Sequence, residues 1–302
     1  MPAPRVTVLG SVNIDLVATT AARPAPGETV LGENFSTGPG GKGSNQAVAA
    51  ARAGASVRFL GAVGDDPFAA ELRGALADAG VDITGLREVA GPSGVAVIVV
   101  DGSGENSIVV VGGANTTVRD LTDADLSAIA EADVLLCQLE LPLGPVTAAA
   151  RHARSAGTTV FLNPSPVQSL PDALLDAVDV LIVNETEAGQ LGDAVLGRVP
   201  HVVTTLGAHG ATLRGPDGRT HLATPPSVEV VDTTGAGDAF AGTLAASWPS
   251  GAADAVDRAC VAGALATTRH GAAAAPTRAA VDAALGRTGR PREAAPRGAA
   301  PT

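Results

Sequence analysis

The segment Val231-Asp232-Thr233-Thr234-Gly235-Ala236-Gly237-Asp238-Ala239-Phe240 starts at the end of a β-branched run, Val228-Glu229-Val230-Val231. It leads into an Ala-rich stretch where a helix is expected to begin. A glycine-rich turn that opens a helix presents unpaired backbone N–H groups and the positive end of the helix dipole, so it suits an anion. Asp238 falls in the first turn of that helix. A carboxylate beside an anion repels it unless it has another task. General base is the natural one: it removes a proton next to a phosphate in transfer.

Outward from this segment, β and α patterns alternate. Downstream, 236–248 and 254–268 read as helices and 277–285 as a short one. Upstream, 134–138, 159–163, 178–184 and 201–206 read as strands, with helices near 122–131 and 144–156. Nearer the start, 5–10 reads as a buried strand, 44–53 as a helix closed by Gly54, and 57–63 as a strand. A further helix begins at Pro67 with Asp66 as N-cap and stops at Gly80. Such alternation predicts a parallel sheet with crossover helices. Polar residues gather at the predicted strand ends: Asn13, Glu140, Asn163, Asn184 and Thr205. Ligands of open α/β sheets bind beyond those ends, so one site is expected along one edge. Asn13 and Asp15, two apart in extended chain, point to one side and can bond hydroxyls; an Asx turn is the other reading.

Two regions lack helices. Residues 16–38 read as short strands (16–19 and 29–31) with a turn at 24–27. Residues 94–100 and 106–111 read as a hairpin around Asp101–Glu105. They are expected to form a lid sheet. The core then comprises 1–15, 39–92 and 112–286, the lid 16–38 and 93–111. Residues 287–302, rich in Pro, Gly, Ala and charge, are expected to be a disordered tail.

The bulk composition narrows the function. The 302 residues suffice for one large α/β domain or a core with a small addition. Hydrophobic content of 45% and mean hydropathy of +0.25 supply a core, but aromatic content of 2% means that Ala, Val and Leu must fill it. Few aromatics and a net charge of −11 speak against a nucleic-acid partner or an anionic membrane. No apolar run is long enough to span a bilayer. Cys137 and Cys260 sit in apolar runs and read as reduced structural thiols. With no signal-peptide pattern at the start, a cytoplasmic location is expected. Lys42 is the chain's only lysine, and its place in Gly40-Gly41-Lys42-Gly43 favours a site role. Gly38 to Gly43 also matches G-x-G-x-x-G. It does not close the first strand, Pro39 interrupts it, and Gly43 breaks the Walker A pattern.

Asp232 to Asp238 resembles the second signature of the PfkB carbohydrate kinases, and Gly40-Gly41-Lys42-Gly43-Ser44-Asn45-Gln46-Ala47 resembles the first. Gly10 to Asp15, Gln138-Leu139-Glu140, Asn163-Pro164-Ser165-Pro166, Asn184-Glu185-Thr186-Glu187 and Thr205-Leu206-Gly207 follow in the family's order. The resemblance spans about residues 5–285. It implies an α/β fold: a three-layer α/β/α sandwich with a mostly parallel central sheet and a small β-sheet lid. It implies ATP-dependent phosphorylation of D-ribose to D-ribose 5-phosphate. Asp238 then resembles the base, and the backbone of Gly235, Ala236 and Gly237 the anion hole. Asn13, Ile14, Asp15, Gly41, Lys42, Gly43, Ser44, Asn45 and Glu140 match sugar-contacting positions. Asn184, Thr205, Leu206, Gly207, Ala208, His209, Gly210 and Cys260 match nucleotide-contacting ones, with Gly237 and Asp238 beside them. Asp232, Thr234, Ala266, Arg269, Gly271 and Ala275 match a K⁺ loop, and Glu187 a position linked to Mg²⁺. A homodimer formed through the lid is implied as well.

The chain departs from the family pattern in three places. Between Leu191 and His201 it is short where members usually carry an extra helical segment. Cys260 stands where a His or Asn often meets adenine. Ala275 replaces a residue that is often polar. The competing readings are the same chemistry on deoxyribose, fructose or a nucleoside, and a non-catalytic sugar-binding protein. An intact Gly235-Ala236-Gly237-Asp238 speaks against the latter.

Overall fold

The computed structural model describes residues 2–271 and 274–287. Of the expected tail, 287–302, Arg287 ends a helix and residues 288–302 lie outside the described residues. In chain order the elements are β1 (Arg5–Leu9), β2 (Asn13–Thr19), β3 (Asn34–Gly40), α1 (Lys42–Arg52), β4 (Ser56–Val63), α2 (Ala69–Asp78), β5 (Asp82–Glu88), β6 (Gly94–Val100) and β7 (Asn106–Val111). Then come α3 (Asp123–Ala130), β8 (Val134–Cys137), α4 (Leu143–Ala156), β9 (Thr159–Leu162), α5 (Asp172–Leu175), β10 (Val180–Asn184), α6 (Glu185–Leu191) and α7 (Asp193–Leu196). β11 (His201–Thr205), β12 (Ala211–Arg214), β13 (Thr220–Ala223), α8 (Ala236–Ser247), α9 (Ala252–Ala266) and α10 (Arg278–Arg287) complete the chain.

Among the described residues, nine strands form one sheet in the order β13-β12-β11-β10-β9-β8-β1-β4-β5. It is parallel from β5 to β11 and antiparallel at β12 and β13. Successive side chains of a strand face opposite sides, and both sides here are covered. On β8, Val134 and Leu136 join one core while Leu135 and Cys137 join the other. The first core is closed by α1, α2, α8 and α9, the second by α3, α4 and α5, which makes three layers. With so few aromatics, helices must approach closely. At the α1–α8 crossing, a Cβ on Gly242 would lie 2.3 Å from the Gln46 carbonyl oxygen and 2.6 Å from Ala49 Cβ. At the far end of α8, Trp248 meets Phe161 edge-on at 5.1 Å and His201 at 5.2 Å.

A second sheet, β3-β2-β6-β7, stands apart. It holds the two helix-free regions, but its strands differ from those expected. β2 starts at Asn13, so Asn13 to Asp15 belong to the small sheet and not to the core. β3 likewise runs on to Gly40. Residues 29–31 form no strand, and Leu31 is 92% exposed with no sheet to cover it. The β-branched run Val228–Val231 also stays irregular: at its end the Val231 and Asp232 amides both go to the Thr267 carbonyl, just past α9, and pair with no strand. Three strands carry no clear sequence signal. β5 is a charged edge strand interrupted by Gly85, and β12 and β13 are four residues each. α1 begins at Lys42, two residues before the expected start, because Gly41 at φ 94° turns the chain into it. α2 begins at Ala69, although Asp66 still accepts the amides of Phe68 and Ala69 at 3.1 Å each.

Candidate active site

Gly235 adopts a left-handed conformation (φ 73°) and releases the chain into α8. The turn is open: Gly237 is exposed, and a Cβ there would meet nothing within 4 Å among the described residues. Of the three expected anion-hole residues, Ala236 already gives its amide to the Thr233 carbonyl at 3.2 Å. Gly235 and Gly237 flank it at the helix start, where first-turn amides have no intrahelical acceptor.

Asp238 turns inward from this turn and is 9% exposed. Its Oδ2 accepts from Asn45 Nδ2 at 3.1 Å and its Oδ1 from Gln46 Nε2 at 2.9 Å. Asn45 and Gln46 are thus buried against the carboxylate. The Gly242 crossing brings α1 close enough for this. Burial pushes the Asp238 carboxyl up. The charge of Lys42 and the bonds from Gln46 and Asn45 pull it back, and Glu140 pushes it up again. A carboxylate so placed holds a proton more readily than a free one while staying hydrogen-bonded.

Around Asp238 lie the other polar groups matched to the sugar side. Glu140 Oε2 accepts from the Ser11 hydroxyl and from the Lys42 amide at 3.1 Å. Ser11 Oγ in turn accepts the Gly43 amide at 3.3 Å. Asp15 has its carboxyl pushed up to about 6, first by burial, then by the charges of Glu140 and Asp238. Asn13 is held from behind: its Oδ1 accepts from Asn115 Nδ2 at 2.8 Å, and Asn115 also bonds the Val12 backbone. Ile14 is fully buried, so only its backbone faces this region. Ser44 spends its hydroxyl on the Gly40 and Gly41 carbonyls. Sequence reasoning assigned no role to Asn115 or Ser11, because what marks them is a partner more than a hundred residues away.

The residues matched to the nucleotide side sit at the ends of β10 and β11. Asn184 is the N-cap of α6. Its Oδ1 accepts the Glu187 amide at 2.8 Å, and Glu187 Oε2 accepts the Asn184 amide at 2.9 Å, a capping box. Glu187, matched to a Mg²⁺-linked position, is engaged here as a helix cap. Thr205 donates to the Val183 carbonyl at 3.4 Å. Leu206 is half-buried, and Gly207, Ala208 and His209 form an exposed helical turn closed by Gly210. Cys260 is buried, 4% exposed, with its thiol toward the Ala223 carbonyl at 3.7 Å. Burial, then the charge of Asp257, pushes that thiol up to about 12.

The positions matched to a K⁺ loop are partly assembled. Asp232 accepts the Thr234 amide at 2.8 Å and the Gly271 amide at 3.0 Å, pinning the two loops together. Burial pushes its carboxyl up, but these bonds and His270 hold it below the usual range. Ala266 is buried at the end of α9 and Arg269 is exposed. The Ala275 carbonyl is taken by Arg52 Nη1 at 2.8 Å. Among the described residues no cluster of three His, Cys, Asp or Glu could hold a metal.

The pattern of the pfkB family carbohydrate kinases matches residues 3–279. A ribokinase of Haemophilus influenzae is 39% identical over 254 residues, 78% of this chain and 83% of that protein. A ribokinase of Schizosaccharomyces pombe is 38% identical over 268 residues, 80% of this chain and 84% of that protein. The structure of an Arabidopsis thaliana ribokinase complexed with ribose and ATP is 32% identical. It superposes with a TM-score of 0.86, covering 94% of this chain and 99% of that one.

Proposed function

This chain belongs to the pfkB family of carbohydrate kinases, and from that premise we propose that it is a ribokinase, transferring the γ-phosphoryl group of ATP to the 5-hydroxyl of D-ribose. One observation carries the reading. A buried carboxylate, Asp238, lies in the first turn of α8 at an open helix N-terminus, held by two amides, beside a polar cluster of Lys42, Glu140 and Asp15, with Asn13 two residues from Asp15 on β2. The cluster binds the sugar, Asp238 takes the proton of its primary hydroxyl, and the Gly235–Gly237 turn receives the charge that builds on the phosphoryl group. Mg²⁺ would be held by the phosphates of ATP and by water more than by protein side chains, since that ion favours such ligands over an all-protein cage, and there it would neutralise phosphate charge.

The nucleotide lies along Asn184 and the 205–210 turn. The small sheet is the lid, which excludes water from the transferred group. We assign a homodimer contact to the face of that sheet that carries Phe35, Val97, Val109 and Val111, which alternation places opposite Asn13 and Asp15 and which leaves an apolar surface in water. K⁺ fits the loop at Asp232, Thr234, Ala266, Arg269 and Gly271; Ala275 is not counted, since Arg52 holds its carbonyl. The two free, buried cysteines agree with a cytoplasmic setting. A coupled ADP-release assay over a panel of pentoses, hexoses and nucleosides tests the function. Ribose is expected to give the highest kcat/KM, and a nucleoside ahead of ribose overturns the substrate.

A further inference from the structure

Gln46 is fully buried in α1 and binds more than Asp238. Its Nε2 donates to Asp238 Oδ1 at 2.9 Å and to Asn163 Oδ1 at 3.1 Å. Its Oε1 accepts from Gln138 Nε2 at 2.6 Å. Asn163 Nδ2 reaches the Ile182 carbonyl at 3.0 Å. Gln138 and Asn163 directly follow β8 and β9, and Ile182 lies within β10. The carboxylate is therefore tied by amides to three adjacent strands of the main sheet.

The direction of each amide follows from the one before it. A carboxylate only accepts, so Gln46 must turn its NH₂ toward Asp238. That leaves its oxygen facing Gln138, which must turn its own NH₂ toward Gln46. Among the described residues the remaining Gln138 Oε1 is buried without a hydrogen-bond partner. A Cβ at position 10 would stand 2.3 Å from it, so Gly10 makes room for this amide. An orphaned buried oxygen costs about 1–3 kcal/mol, and an apolar side chain of the same shape would avoid that. Core packing alone does not account for the pair.

We propose that Gln46 and Gln138 are positioning residues, a buried amide pair that fixes the rotamer of Asp238 and presents the base to the acceptor hydroxyl in one orientation. This rests on the reading of Asp238 as general base. Charged groups face Asp238 from three sides: Lys42 on α1, Glu140 after β8 and Asp15 on β2. The bond from Gln46 favours the ionised carboxylate. Losing it moves the Asp238 titration, and with it the acid limb of kcat, to higher pH.

The test uses the full chain with Gln46→Met and Gln138→Met, and Asp238→Asn to assign the Asp238 resonance. Carboxyl ¹³C titration follows Asp238 without requiring turnover, and pH profiles of kcat and KM follow the reaction. Gln46→Met is expected to raise the Asp238 midpoint and the acid limb by about one pH unit. Gln138→Met touches Asp238 only through Gln46. It is expected to lower kcat about tenfold with KM for ribose nearly unchanged, and to shift the midpoint in the same direction by less. If Gln46→Met fails to fold by circular dichroism, Gln138→Met decides. Wild-type midpoints and kcat in a folded variant overturn the proposal. Should wild-type protein phosphorylate no acceptor, the general-base reading falls separately, and the titration still decides whether the pair holds Asp238.

Discussion

The proposed acceptor half of the site and the proposed nucleotide half lie along the same sheet edge but are built differently. On the acceptor half, Asn13, Asn45, Gln46 and Asp238 are buried, and each is bonded to another member or to a neighbour such as Asn115. On the nucleotide half, Asn184, Gly207, Ala208 and His209 are exposed, and the Asn184–Glu187 pair caps its own helix. Side chains set in advance can tell one hydroxyl pattern from another. Backbone turns hold phosphates with little regard to the residues that carry them. Selectivity is therefore expected to reside in the acceptor half, and tolerance in the other.

The strongest way to break this contrast is Asp238→Asn. It should lower kcat at least ~10²-fold while sugar binding persists, and near-normal turnover would remove the base from the mechanism. Asp15→Asn comes next, with an expected loss in ribose affinity of about tenfold by calorimetry at pH 7.5. Its wild-type carboxyl is pushed up to about 6, so ribose binding should weaken as pH falls through about 6 and be flat above it. The inflection should vanish in the variant. The same shift has a sign for stability. The folded chain holds this proton to about 6 and the unfolded chain only to 3.8, so stability falls as pH rises between them. Asp15→Asn should therefore raise the melting temperature at pH 7.5 even as it weakens binding.

Smaller effects sharpen the other side. Exchanging K⁺ for Na⁺ should reduce kcat severalfold without changing the melting temperature, and indifference to the ion would remove it from the 232–271 loops. Glu187→Ala breaks a capping box and should cost about 1 kcal/mol in chemical denaturation, with ribose KM unchanged. A collapse of kcat there would show that side chains also govern the nucleotide half. His209→Ala should change kcat/KM for ATP less than about twofold, since the residue is exposed on a backbone turn.

Much of the main sheet was legible because it obeys local rules. Val134 to Cys137 is a continuous apolar run, which suits a strand covered on both faces, and Thr122 with Asp125 makes the capping box that starts α3. The helix at Ala236 could be read from the glycines before it. What could not be read depends on contacts between distant segments. Asn45 and Gln46 are polar residues in a first helical turn and pass for a solvated face, until Gly242 of α8 packs against them. Likewise β12 and β13 have too few residues for a periodic signal and exist because β11 offers an edge. The site is legible as a set of motifs, but its hydrogen-bond order is not. Gln138 looks like an ordinary strand end, and Asn115 belongs to no motif that names it.

Trp248 stands just past the last turn of α8, ten residues after Asp238, about 15 Å along the helix at 1.5 Å per residue. It is the only indole in the chain, and there is no tyrosine. Intrinsic emission excited at long wavelength therefore comes from one position. There the ring lies against Phe161 within β9 and against His201, the first residue of β11, away from the strand ends that carry the proposed site. The protein carries a built-in optical probe that reports the packing of the sheet's foot and is remote from the ligands. A variant that loses turnover with an unchanged emission maximum has lost chemistry; one whose maximum moves to the red has lost its fold.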